Sequence, residues 1–161
     1  MIKINLITVG KLKEKYWRDA VAEYSKRLGT FCKLDIIELN ESKLPDDPSY
    51  KQKLSALEAE AKTMQQYLDI KGSFTIAMCI EGKQMTSEEL SKKLDYCGAN
   101  GYSTVNFIIG SSFGISEEIK KRADLRLSMS EMTFPHQLAR VMLIEQIYRA
   151  FQISANTKYH K

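Results

Sequence analysis

The chain has 161 residues, 43% of them hydrophobic and 27% charged, with three prolines and eight glycines. A chain of this length buries about two-thirds of its unfolded surface as one domain, so it needs no disulfide or structural metal, and the composition excludes a disordered or collagen-like protein. Lys and Arg exceed Asp and Glu by 24 to 20, split as +4 over residues 1–30, −3 over 31–60 and +3 over 61–161; this mild excess permits a polyanionic partner without demanding one.

Cys32, Cys79 and Cys97 are odd in number and far apart, with only His136 and His160 as companions. That pattern argues against a zinc site or a disulfide framework. The opening apolar run is too short for a signal peptide, and no stretch reaches the eighteen or so apolar residues of a membrane helix. A cytoplasmic protein with reduced thiols is expected.

Ile2 to Val9 reads as a buried strand ended by Gly10. Tyr16, Trp17, Ala20, Val21, Tyr24 and Leu28 then recur at helical spacing, with Gly29 as a stop. Lys33 to Leu39 predicts a second strand, residues 40–50 a loop with two prolines, and Lys51 to Leu68 a second helix. Ser73 to Ile80 predicts a third strand closed by Glu81-Gly82. Thr86 caps a helix running to about Cys97. Thr104 to Ile109 is the most uniformly apolar strand; it enters Gly110-Ser-Ser-Phe-Gly114 and a short helix at 116–122. Leu125 to Met129 predicts a fifth strand, and residues 137–153 a long helix.

Strands alternating with helices predict an α/β fold with a mostly parallel sheet, in one domain over 1–161. The last helix carries apolar residues on more than one face, which suggests a second copy of the chain as the surface that buries them. Ligands of such sheets bind beyond the carboxyl ends of the strands, so the loops after Val9, Ile80, Ile109 and Met129 are the places to look.

The 110–114 segment is either a loop that lets backbone N–H groups approach a ligand or a plain tight turn. It carries neither a dinucleotide fingerprint nor a P-loop. Residues 128–136, Ser-Met-Ser-Glu-Met-Thr-Phe-Pro-His, form a constrained polar loop with two methionines and an aromatic, residues that serve in packing more often than in ligand contact. His136 and Arg140 share a helical face, as do Glu145 and Arg149, the ordinary spacing of ion pairs. The terminal Lys158-Tyr159-His160-Lys161 would fray in most proteins, yet it combines a stacking ring, an imidazole and two cations suited to RNA.

Several segments together resemble a known family. They are Ile7-Thr-Val-Gly-Lys-Leu-Lys13, Phe107-Ile-Ile-Gly110, Met132-Thr-Phe-Pro-His-Gln137, Leu143-Ile-Glu-Gln-Ile-Tyr-Arg-Ala150 and the terminal Tyr-His-Lys. In order along nearly the whole chain, they resemble the bacterial ribosomal RNA large-subunit methyltransferase H family of the SPOUT class. The resemblance implies an α/β SPOUT-type fold with a C-terminal trefoil knot, a homodimer, S-adenosylmethionine as methyl donor, and N3-methylation of pseudouridine 1915 of 23S rRNA within the 70S ribosome.

Carried over by position, it places Met78, Gly110 and the run Met129, Ser130, Glu131, Met132, Thr133 and Phe134 at the donor. His136, Lys158 and Lys161 go to the RNA, and Arg140, Arg149, Tyr159 and His160 to catalysis, with the tail reaching the other protomer's donor. His160 or Tyr159 would ease loss of the base's N3 proton while an arginine steadies the developing negative charge. The chain departs from that family at Ser111, at Cys79 and over Ser154 to Thr157. The competing readings are a non-catalytic ribosome-associated RNA-binding dimer and a SPOUT methyltransferase for another nucleotide.

Overall fold

The computed structural model describes all of residues 1–161. In chain order the elements are β1 (Lys3–Val9), α1 (Lys15–Leu28), β2 (Lys33–Leu39), α2 (Tyr50–Leu68), β3 (Ser73–Gln84), α3 (Ser87–Ala99), β4 (Thr104–Ile109), α4 (Glu117–Arg122), β5 (Leu125–Ser128) and α5 (His136–Ser154). The strands form one sheet in the order β2-β1-β4-β3-β5, and every pairing is parallel. All carboxyl ends therefore lie along one edge. The short loops that follow them are brought together there.

Helices cover both faces, which is why the central strands read as continuous apolar runs instead of alternating ones. Ile4, Leu6, Val105, Phe107 and Ile76 point into a 19-residue core shared with α1, α3 and α5. Ile7, Ala77 and Ile108, displaced by odd steps, point into an 8-residue core with Ala61 and Met64 of α2 and Ile119 of α4. Two helix starts are fixed by reciprocal capping, Ser49 with Gln52 and Thr86 with Glu89. No helix is long and apolar enough to cross a membrane.

Two details depart from the sequence reading. β3 does not stop at Ile80. It pairs with β5 through Met78, bulges outward over residues 79–82, and rejoins so that Lys83 again lies opposite Leu127. Gly82 makes the bulge possible, because a Cβ there would sit 2.7–2.8 Å from the backbone of Arg126 and Leu127. The second detail concerns α5, whose apolar surface is taken up in large part within the chain. It packs against both α1 and α3, which draws Val141, Tyr148 and Phe151 against the larger core, and Ser91 Oγ donates to Ala150 O at 2.7 Å.

Candidate active site

The β3 bulge and the loops after β4 and β5 surround a cavity of about 770 Å³, within the size range of small-molecule sites. The β3 bulge supplies Met78, Cys79, Ile80 and Glu81. The segment after β4 supplies the middle. It closes on itself through Gly114 N–H donating to Ser111 O at 2.8 Å, with Gly114 at φ +88°. A Cβ on Gly110 would lie 2.1 Å from Gly114 O, so this glycine is demanded by the loop's own turn. Ser111 has no positive φ, since Asn156 is the only non-glycine residue that does. A serine therefore costs the backbone nothing at that position.

The third loop follows β5. Ser128 Oγ donates to Ser130 O at 3.0 Å and Met132 N–H to Ser130 Oγ at 3.0 Å, so local hydrogen bonds hold the backbone before Pro135 opens α5. Met78, Ile109, Leu127, Met129 and Phe134 give the cavity apolar walls. Flat apolar walls beside loop backbone suit the adenine and ribose of S-adenosylmethionine, so the residues present fit that group. At the mouth, Ile80, Phe113 and Met132 are 50%, 40% and 73% exposed. That is a largely exposed apolar rim, with the Lys53 ammonium 5.3 Å from the Phe113 ring centre.

Of the residues singled out from the sequence, Met78, Gly110, Met129, Ser130, Met132, Thr133, Phe134 and His136 line this cavity. Glu131 is exposed on the same loop and not on the wall; Lys158 and Lys161 are exposed on the tail. Arg140 goes elsewhere. It is 2% exposed, donating to Glu38 Oε2 at 2.8 Å and Gly10 O at 3.2 Å. Instead of pairing with His136 along the helix, it ties α5 to the ends of β1 and β2.

Arg149, Tyr159 and His160 form a separate cluster on the outside of α5. Arg149 and the Tyr159 hydroxyl both donate to Glu145 Oε1, at 2.6 and 3.0 Å. The Tyr159 ring packs edge-on against Tyr148 with centroids 4.9 Å apart, and the Arg149 guanidinium lies 4.8 Å from the Tyr159 ring centre. His160 Nε2 is 2.8 Å from Glu88 Oε1 and Nδ1 is 3.3 Å from Arg149 Nη1. That pattern assigns the ring proton to Nε2 and leaves Nδ1 as an acceptor. Burial and the Glu145 carboxylate push the Tyr159 phenol up to about 12, so at neutral pH it is a hydrogen-bond donor. None of the three lines the cavity.

Asn156 explains how the tail turns back. At φ 53° it occupies the left-handed region that glycine usually takes and asparagine tolerates. Sequence reasoning missed Ile80 and Phe113 as rim residues, and it missed Glu60. The last had a signal: an acid among Ala56, Ala61 and Met64, on the face of α2 that turns inward.

This geometry is that of a sheet-end ligand site in an α/β protein, and comparison with known proteins agrees. The family model described as "Predicted SPOUT methyltransferase" matches residues 2–160, and the chain belongs to the SPOUT methyltransferase family. It is similar to a protein of Clostridium perfringens named ribosomal RNA large subunit methyltransferase H, at 52% identity over 161 residues, covering 99% of this chain and 100% of that one. Proteins of the same name from Bifidobacterium adolescentis and Streptococcus suis are 52% and 51% identical, each match covering 99% of this chain and 100% of the relative. Among solved structures, a probable methylase family protein from Haemophilus influenzae Rd KW20 matches with TM-score 0.54 and 16% identity, over 99% of this chain and 70% of that one. That last likeness is one of fold.

Proposed function

We propose that the protein transfers a methyl group from S-adenosylmethionine to N3 of pseudouridine 1915 in 23S rRNA of the 70S ribosome, as a cytoplasmic homodimer with the knotted SPOUT topology. The observation that carries this reading is the cavity formed by residues 78–81, 109–115 and 127–136 in a chain about half identical, end to end, to ribosomal RNA methyltransferases. The donor supplies an electrophilic methyl on a positively charged sulfur, which leaves as a neutral thioether once the methyl has moved.

The chain's own residues have three tasks. Met78, Met129 and Phe134 hold the adenosine part, while the hydrogen-bonded loop at 128–132 fixes the backbone around it, so the acceptor meets the methyl in line. The N3 proton must also leave the base. With Tyr159 held as a donor to Glu145, His160 is the residue to accept that proton, through Nδ1 once Arg149 turns from it toward the base. Arg149 steadies the negative charge that grows on the base. Arg140, buried against Glu38, acts as a brace.

The tail cluster lies off the cavity of its own chain, and Ile80 and Met132 on its rim are exposed. Both facts support a two-fold dimer in which one protomer's tail reaches the other's cavity. The test is single-turnover methylation of 70S ribosomes from a strain lacking the modification, read by mass mapping of 23S rRNA. One added methyl at pseudouridine 1915 is expected. Methylation elsewhere would reassign the nucleotide, and ribosome binding without methylation would favour a non-catalytic RNA-binding dimer.

A further inference from the structure

Beside the donor cavity lies a second one, of about 470 Å³, between the 41–45 loop, α2 and the turn after β4. Ser111 and Phe113 line both, so the two spaces adjoin at the same turn. The floor of the second is Glu60. Its side chain comes from the buried face of α2 and is 4% exposed, and its Oε2 has no hydrogen-bond partner. Ser111 Oγ, also buried, has none either. A buried carboxyl oxygen without a partner is costly in a folded protein. It persists where a ligand completes it.

The charges around it indicate the ligand. Glu41 stands on the same wall as Glu60, and Lys43 follows two residues later on the loop. Two carboxyls with one ammonium complement a zwitterion whose positive end sits deep and whose negative end faces outward. Burial pushes the Glu60 carboxyl up, the Ser111 hydroxyl is near enough to offset part of that although it falls short of hydrogen-bond geometry, and Glu41 adds to it. A cationic donor compensates such a group more strongly than a neutral one does. A uracil-type base has N–H donors and no such charge.

We propose that Glu60, with Ser111, is the subsite for the α-ammonium of the donor's amino-acid end, next to the adenosine cavity across the Ser111–Phe113 turn. This rests on the methyl-donor reading given above. It adds a role for α2 and for the 41–45 loop, neither of which the strand-end loops require.

The test is titration calorimetry with two probes, S-adenosylhomocysteine and 5′-methylthioadenosine, which share the adenosine thioether and differ in the amino-acid end. Wild-type protein, Glu60→Gln and Ser111→Ala are compared. Glu60→Gln is expected to weaken S-adenosylhomocysteine at least ten-fold while changing methylthioadenosine less than two-fold; Ser111→Ala shows the same selectivity with a smaller loss. Unchanged S-adenosylhomocysteine affinity in Glu60→Gln overturns the subsite, even if methyl transfer slows, because Glu60 would then act on the acceptor. Equal loss of both probes in both variants also overturns it, since the effect is then on the cavity as a whole. Failure of the wild-type protein to bind either probe removes the methyl-donor reading itself, a result visible before any variant is made.

Discussion

The strand-end cavity and the tail cluster, both built around α5, make opposite use of their polar groups. The cavity is apolar, with an exposed apolar rim and backbone pinned by serine hydroxyls. The cluster is ionic and already satisfied, with Glu145, Arg149, Tyr159, His160 and Glu88 bonded to one another. The proposed dimer would bring the exposed cavity mouth of one chain to the polar tail cluster of the other. The two arginines of α5 repeat the contrast. Arg140 is spent on Glu38 in the interior, whereas Arg149 is held near the surface by a residue one turn away.

The strongest way to break this comparison is Gly110→Val. Its Cβ would meet Gly114 O at 2.1 Å, so the loop must move, and we expect donor binding to be lost by calorimetry together with about 1–3 kcal/mol of stability. A Gly110→Val protomer combined with a His160→Ala protomer should regain part of the methyl transfer that each homodimer lacks. No recovery in the mixed dimer would mean that each chain completes its own site.

Next in size is the pair Arg140→Met and Arg149→Met. Removing Arg140 leaves Glu38, one-third exposed, beside an interior that lost its cation, at a cost of about 2–3 kcal/mol after allowing for that exposure. Arg149→Met should change stability by no more than about 1 kcal/mol and yet lower single-turnover methylation the more. The reverse ranking in denaturant melts and rates would interchange their roles. Tyr159→Phe keeps the ring edge-on against Tyr148 and loses one hydrogen bond, worth about 1 kcal/mol. Its methylation rate should stay within a few-fold of wild type, because a phenol pushed up to about 12 is no base at neutral pH; His160→Ala should cost far more.

The smallest effect sharpens the cavity side. Burial raises the Glu60 carboxyl above its ordinary value, so the folded protein holds the extra proton more tightly than the unfolded chain does. Its contribution is favourable below the unfolded value of about 4.3 and is lost as pH rises toward the folded one. Ligand-free Glu60→Gln should therefore melt higher than wild type at pH 7.5 and show no such gain near pH 4. A gain that is the same at both values would assign the effect to packing.

Much of the scaffold could be read from residues 2–9, 73–80 and 104–109, because a strand buried on both faces leaves an unbroken apolar run whatever its neighbours are. The capping pair Thr86 and Glu89 and the stop near Gly29 were readable for a similar reason: these signals act within one turn of chain. The loops of the candidate site were legible as loops, since glycine, serine and proline mark places where the backbone leaves a helix or a strand. The reason for Gly110 was not. From the sequence it served either a ligand or a turn, and only the 2.1 Å approach to Gly114 O shows that the turn itself demands it, on the wall of the cavity.

By itself, then, the sequence determined the α/β class, the order of elements, the family and the strand ends where a ligand would sit. Tertiary structure alone decided which charges are free. Arg140 and Arg149 carry the same local pattern, an acid or a histidine four residues away, but the partner of Arg140 lies 102 residues distant at Glu38. The β3 bulge at 79–82 likewise depends on Gly82 meeting the backbone of β5. Glu60 becomes a candidate ligand only because α2 turns it toward Ser111 across the β4 turn. Periodicity reports which face of an element is buried; what that face meets depends on residues far away in the chain, which local pattern does not encode.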